Sequence, residues 1–190
     1  MIQALQYVQA DCPSYLRAQI VQLLRTEWPA TYRNDKPDWP TESAELNPTS
    51  FVLMDNGMVL SHAAVPRKTI EHCGKNYLAF GLSSVVTRQA LRRKGFGHRI
   101  IECATNYMKQ ENADLGVFTC DSHLAPFYTF SGWEVAYNVP LIGGTIEKPF
   151  PSDKIGKLTI IQFFSEKAMK YREEILSRPI YIELGEGKLW

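Results

Sequence analysis

The sequence predicts a mixed α/β (α+β) fold: a central mixed, mostly antiparallel sheet flanked by helices, in one domain spanning residues 1–190. Three observations predict it. Residues 51–87 read as a meander of short strands separated by turns. One long amphipathic helix follows a basic, glycine-containing loop. After it, strands and helices alternate. A chain of 190 residues can bury one sizeable core and is short for two.

The elements follow in order. Residues 2–9 alternate and read as a strand. Asp11, Pro13 and Ser14 mark a helix start, and Leu16, Ile20, Leu23 and Leu24 recur at helical spacing through about Trp28. Four prolines between residues 29 and 48 predict a loop or short helical turns. Asn56-Gly57 is a two-residue hairpin signal between apolar strands at 51–54 and 58–65. Further strands are expected at 66–72 and 77–87, with a turn at 73–76 between them. A helix is expected over 95–110, with Phe96, Ile100, Ala104, Tyr107 and Met108 as its buried stripe. Then come a strand at 115–120, a short helix at 123–131 closed by Gly132, and a strand at 133–137. An irregular connection is expected over 140–151, and strands at 158–164 and 180–183.

Composition narrows the function classes. Lys plus Arg number 21 and Asp plus Glu 20, a net charge of +1, so no global charge points to nucleic acid or an anionic membrane. The basic cluster is short and lacks a flanking aromatic platform for bases. The four cysteines show no C-x-x-C spacing, so no metal site is expected. Scattered thiols without a signal-peptide pattern suggest a cytoplasmic protein. No apolar run approaches the ~18 residues of a membrane span.

The chemistry is carried by Val85-Val86-Thr87 followed by Arg92-Arg93-Lys94-Gly95-Phe96-Gly97-His98-Arg99. A strand delivers the chain into a basic loop, and a helix starts inside it. First-turn amides have no partner within the helix and bind an anion well. Gly95 and Gly97 let backbone approach phosphate oxygens, and Arg92, Arg93, Lys94 and Arg99 add positive charge. The segment reads as a pyrophosphate cradle. It lacks the G-K-[S/T] ending of a triphosphate loop and the three-glycine dinucleotide fingerprint. The plainer alternative is a solvated basic turn before a helix.

The R-x-x-G-x-G pattern at 92–97 resembles the acetyl-CoA-binding motif of the GNAT acetyltransferase superfamily. A second segment, Ala125-Pro126-Phe127-Tyr128-Thr129-Phe130-Ser131-Gly132-Trp133-Glu134, resembles that family's A-x-x-F-Y-x-x-x-G-[F/W]-E signature. The resemblance covers roughly residues 51–138. It implies a GNAT-like sheet, acetyl-CoA as co-substrate, the 92–97 loop on the CoA pyrophosphate, and the preceding strand edge pairing with the pantetheine arm. It also places Tyr128 near the CoA sulfur, where a protonated phenol can serve the leaving thiolate as general acid. The alternative for Tyr128 is a core aromatic with a satisfied hydroxyl. Ser61-His62-Ala63-Ala64-Val65 and the terminal Trp190, taken with both motifs, look like the aminoglycoside 2'-N-acetyltransferases. In that group the C-terminal Trp and nearby acidic residues line the substrate pocket. This chain has Ser83 where the group carries a strand carboxylate. Near Trp190 it has Lys188, with Glu186 close by.

Attack by an amine needs a base. Asp121, Glu134, His123, His62 and the Trp190 carboxylate are the candidates. His62 also reads as a satisfied strand histidine, and Asp121 as a helix cap. Asp35, Asp38, Glu42 and Glu45, interleaved with Trp28, Tyr32 and Trp39, could wall a cationic acceptor, or belong to a solvated loop. The expected activity is acetyl transfer from acetyl-CoA to a primary amine of a small molecule, an aminoglycoside among the options, with resistance or metabolism as its role. Alternatives are an acyl-CoA-binding regulatory module and a protein or peptide N-acetyltransferase. A homodimer through the 158–164 strand competes with a buried core strand there.

Overall fold

A computed structural model describes residues 1–32 and 39–190. In chain order the strands and helices are β1 (Gln3–Val8), α1 (Ser14–Glu27), β2 (Thr49–Asp55), β3 (Met58–Val65), β4 (Arg67–His72), β5 (Lys75–Phe80), β6 (Ser83–Thr87), α2 (Phe96–Gln110), β7 (Leu115–Asp121), α3 (Ala125–Phe130), β8 (Glu134–Val135), β9 (Leu141–Gly144), β10 (Pro149–Pro151), β11 (Lys157–Phe163), α4 (Glu166–Lys170), α5 (Arg172–Ile175) and β12 (Ile180–Tyr181). The fold is mixed α/β, with antiparallel-dominated sheets and helices, as expected. Among the described residues its ladders number three rather than one: β1-β2-β3-β6, β10-β9-β12 and β4-β5-β7-β11-β8. The chain divides into two compact units, residues 1–67 with 82–107, and residues 68–81 with 108–190.

In the first unit β2 and β3 form the expected hairpin. Asn56 and Gly57 at its tip have φ of 47° and 79°, the left-handed pair that a tight hairpin turn needs. Helix α1 buries Leu16, Ile20, Leu23 and Leu24 against Val52, Val59 and Val86, with Trp28, Tyr32 and Trp39 packed at the margin. The spacing of those three leucines and one isoleucine is the apolar stripe that lays a helix on a sheet. β6 is the last strand of this sheet, so one of its edges has no strand partner within it.

In the second unit β5 and β7 run parallel, paired at Ala79–Leu115 and Phe80–Gly116, and β7 then continues antiparallel to β11. Asp114 staples this region: it accepts from Leu78 N at 2.8 Å, Ser165 Oγ at 2.6 Å and Lys167 Nζ at 2.8 Å. Phe118 makes edge-on contacts with Tyr128 and Trp133, at 4.8 and 4.9 Å between centroids. Gly116 makes room for Trp133, because a Cβ there would lie 2.5 Å from the indole. β11 is flanked by β7 and, at Ile160 and Ile161, by β8, so these residues form interior rather than edge sheet.

Two expectations need correction. The strand expected over 77–87 is interrupted at Gly81-Leu82: β5 pairs with β7, whereas β6 pairs with β3. The connection expected to be irregular over 140–151 contains β9 and β10, which pair with each other, and β9 also takes β12 in parallel. Among the described residues no helix is long and apolar enough to cross a membrane. No group of three or more His, Cys, Asp or Glu among them could hold a metal ion.

Candidate active site

In the first unit the edge strand β6 runs through Val85, Val86 and Thr87 toward the basic loop. Thr87 is set opposite Ser61 and Val86 opposite His62. Ser61 Oγ donates to Val86 O at 2.8 Å and shares a hydrogen bond with Thr87 Oγ1 at 2.9 Å. A 3-10 turn (Gln89–Leu91) then leads to Arg92. Arg93 and Gly95 take positive φ, 62° and 83°, and α2 begins at Phe96. Arg99 N returns to Gly95 O at 3.1 Å, the first turn closing. The amides of Phe96 and Gly97 lie ahead of that closure, where a helix offers them no acceptor. Space above Gly95 is open, since a Cβ there would meet nothing within 4 Å. Arg92, Arg93, Lys94 and Arg99 are exposed around this turn. Arg92 is already engaged, its guanidinium on Glu27 and its Nε on Thr87 O at 3.2 Å. The structure thus brings all eleven residues expected at the cofactor loop onto one strand–turn–helix segment.

The same unit carries a polar network. His62 is fully buried. Its Nδ1 lies 3.0 Å from Ser84 O, which can only accept, so Nδ1 carries the proton and Nε2 accepts from Ser50 Oγ at 2.9 Å. Gln9 Nε2 donates to Ser50 Oγ at 3.1 Å and to Thr41 Oγ1 at 2.6 Å, and Gln9 Oε1 accepts from Thr41 N at 2.8 Å. Burial lowers the His62 pKa to about 4, with the bond to Ser84 opposing it. Both nitrogens are spent within the fold, which answers the two readings of His62 in favour of a satisfied strand histidine. Trp39, expected at the substrate wall, donates its indole N–H to Gln9 O at 2.8 Å. Ser83 Oγ donates to Glu42 Oε1, and Ser84 Oγ shares a hydrogen bond with Tyr32 at 3.1 Å. Asp35 and Asp38 lie outside the described residues. Sequence reasoning placed Glu42 on a wall and missed its bond to Ser83, because the two are 41 residues apart.

In the second unit Tyr128 is buried, with its ring against Phe118 and, at 5.1 Å, Phe127. Burial first, and then Cys120, push its pKa far above the ordinary phenol value, so it keeps its proton at neutral pH. Asp121 does not cap the turn that follows: its carboxylate pairs with Lys157 at 2.7 Å across β7–β11. Glu134 pairs with Arg172, and His123 is exposed. Glu186 is exposed and pairs with Lys148 at 2.8 Å. Trp190 is 5% exposed, and its main-chain oxygen accepts from Thr119 N at 2.8 Å and Thr119 Oγ1 at 2.5 Å. Its indole covers Gly81, where a Cβ would fall 2.5 Å from the ring, and its Nε1 is buried without a hydrogen-bond partner among the described residues. Thr119 had no signal in the sequence, since only the fold brings residue 190 to β7.

Comparison with known proteins agrees with this geometry. The model of the acetyltransferase (GNAT) domain family matches residues 16–136. No curated protein matches the chain. Among solved structures, an acyl-CoA N-acyltransferase from Pseudomonas aeruginosa superposes with a TM-score of 0.61 at 15% identity, over 85% of this chain and 99% of that one. Escherichia coli ElaA gives 0.61 at 14% identity over the same shares. A GNAT family acetyltransferase from Brucella melitensis in complex with acetyl-CoA gives 0.55 at 20% identity, over 70% of this chain and 83% of that one. At these identities the structures speak for the fold, and the family model, spanning well over half of the residues, speaks for kinship: the chain belongs to the GNAT acetyltransferase family.

Proposed function

We propose that this protein transfers an acetyl group from acetyl-CoA to a primary amine of a small molecule by direct attack on the thioester. The observation that carries the reading is the junction of β6 and α2. An edge strand leads into a turn with Gly95 at φ 83°, and the first helical amides open onto basic side chains. That arrangement suits a pyrophosphate followed by an extended arm. The acetyl-CoA held by the Brucella melitensis protein supports the same donor here.

Val85, Val86 and Thr87 would pair with the arm, and residues 92–99 would hold the pyrophosphate. Tyr128 would act as general acid toward the departing thiolate, a role for which a phenol that keeps its proton is suited. Asp121 and the Trp190 carboxylate are the other proposed catalytic groups, and each already has a partner, Lys157 and Thr119 respectively. Trp39, Ser83, Glu186 and Trp190, with Asp35 and Asp38, make up the proposed acceptor wall. An aminoglycoside is the first acceptor class to test. A homodimer, the other proposed partner, would use a surface other than the flanked centre of β11.

The test is thiol release from acetyl-CoA across aminoglycosides, polyamines and arylamines, with wild type beside Tyr128→Phe. The expected result is turnover with one class, lowered about 10²-fold or more in the variant, with acetyl-CoA binding retained. Binding of acetyl-CoA with no thiol release from any amine would favour the regulatory module instead.

A further inference from the structure

We infer that His62 is a positioning residue for acetyl transfer: its Nδ1–H holds a bulge of β6 at Ser84, and the bulge sets where the donor's extended arm ends. This role rests on the transferase reading above. Direct attack needs the thioester carbon held about 3–3.5 Å from the amine, and a misplacement of about 1 Å can cost about 10²-fold in rate.

β6 does not run straight along β3. His62 is set opposite Val86 and Ala64 opposite Ser83, so Ala63 alone faces the two residues Ser84 and Val85. One extra residue in a strand is a β-bulge, which bends the strand and interrupts its pairing. Ser84 carries the strain: its φ is 50°, in the left-handed region that a residue with a side chain rarely adopts. Such a conformation persists where the surroundings impose it. The donor's arm would follow the open edge of β6 upstream from the α2 cradle. Thr87, Val86 and Val85 offer it regular strand, and at Ser84 that regularity ends. The thioester end would therefore lie beside the bulge.

A directed chain of hydrogen bonds imposes the bulge. Thr41 N, which can only donate, bonds Gln9 Oε1 at 2.8 Å and so fixes the orientation of that amide. Gln9 Nε2 then donates to Ser50 Oγ at 3.1 Å, and Ser50 Oγ donates to His62 Nε2 at 2.9 Å. His62 Nδ1 donates in turn to Ser84 O at 3.0 Å, an atom that can only accept. A main-chain donor at one end and a main-chain acceptor at the other leave one direction for the whole chain. Gln9, Ser50 and His62 are all buried, where such bonds are strong and polarise one another. Removing the Nδ1 donor frees Ser84 O to turn and lets Ser84 relax toward extended backbone.

The experiment compares wild type with His62→Asn, His62→Gln and His62→Phe, using the amine from the panel that wild type turns over best. Asn places an amide N–H near the Nδ1 position, Gln places its amide near Nε2, and Phe keeps a ring without a donor. For His62→Gln and His62→Phe, kcat per folded molecule should fall about 10²-fold, while the dissociation constant for acetyl-CoA stays within about threefold because the α2 cradle is untouched. His62→Asn should recover kcat to within about tenfold of wild type. A merely structural histidine would lower the melting temperature of the variants and leave the rate per folded molecule unchanged. That result overturns the assignment and leaves the transferase reading standing. His62→Asn as slow as His62→Phe, or acetyl-CoA affinity falling in step with kcat, overturns it as well. If the His62 variants fail to fold, Ser84 decides. Gly accepts φ 50° without strain and Val resists it, so Ser84→Val should lose about 10²-fold in kcat and Ser84→Gly much less. Equal rates in those two variants overturn the assignment. A wild type that binds acetyl-CoA and acetylates no amine overturns both readings.

Discussion

His62 shows how one residue can be decided by its hydrogen bonds. A histidine on a strand between Ser61 and Ala63 reads first as a buried structural group and second as a base. What separates the readings is whether a nitrogen remains for chemistry, and here Ser84 O and Ser50 Oγ take both. The folded pKa of about 4 lies below the ordinary value of 6.5, so the unfolded chain binds the proton more tightly. The stabilising contribution is therefore fully present above pH 6.5 and is lost as pH falls toward 4, about 3 kcal/mol over that window. Urea unfolding of wild type and His62→Asn across this range checks it: the variant should be less stable at neutral pH and have a flatter pH slope. A wild-type slope identical to the variant's would remove the neutral-histidine account. Glu42 is the opposite case. Its type and loop were legible as acidic wall, but its bond to Ser83 depends on a return of the chain that no local pattern encodes.

At the scale of elements, legibility follows the range of the forces involved. The Asn56-Gly57 hairpin, the α1 stripe and the α2 helix are set by local turn chemistry and periodicity, and all three form where the residues place them. The break between β5 and β6 was not legible. Gly81 is small because the Trp190 indole lies on it, and Ser84 reverses its φ where β6 starts, so the cause of the break is distant in sequence. β9 and β10 were hidden for a similar reason. Gly143-Gly144 looks like loop, yet Lys188 O sits where a Gly143 Cβ would be, and Gly144 N donates to that oxygen at 2.9 Å. The cradle itself is a local device and can be tested locally. Gly95 at φ 83° adopts a conformation that costs a residue with a Cβ roughly 1 kcal/mol, although the space beside it is open. Gly95→Ala should weaken acetyl-CoA binding about tenfold, through strain of that size displacing the first-turn amides. Calorimetric titration measures it, and unchanged affinity would move the pyrophosphate away from this turn.

Across the whole molecule, the last residues act as a structural strap within the second unit. Lys188 N bonds Gly185 O, Lys188 O takes the amide of Gly144, and the Trp190 oxygen takes both donors of Thr119. The indole then covers Gly81, with 5% of Trp190 exposed. Only the assembled unit explains why a glycine just past the end of β7's parallel neighbour, a threonine in mid-strand and a distant tryptophan belong together. Trp190→Ala removes the ring and keeps the main-chain bond to Thr119, so it isolates packing. It should cost about 3 kcal/mol or more, as large-to-small changes at buried aromatics do. Deleting residues 187–190 removes the ring and the strap together, and should lower the melting temperature further. The two variants also divide the acceptor classes. If Trp190 lines a closed site for a small amine, both should lose turnover even where the fold survives. If the acceptor is a peptide lying in an open groove, folded variants should keep their rate. Thermal melting beside thiol release, on the same preparations, separates lost stability from a lost acceptor wall.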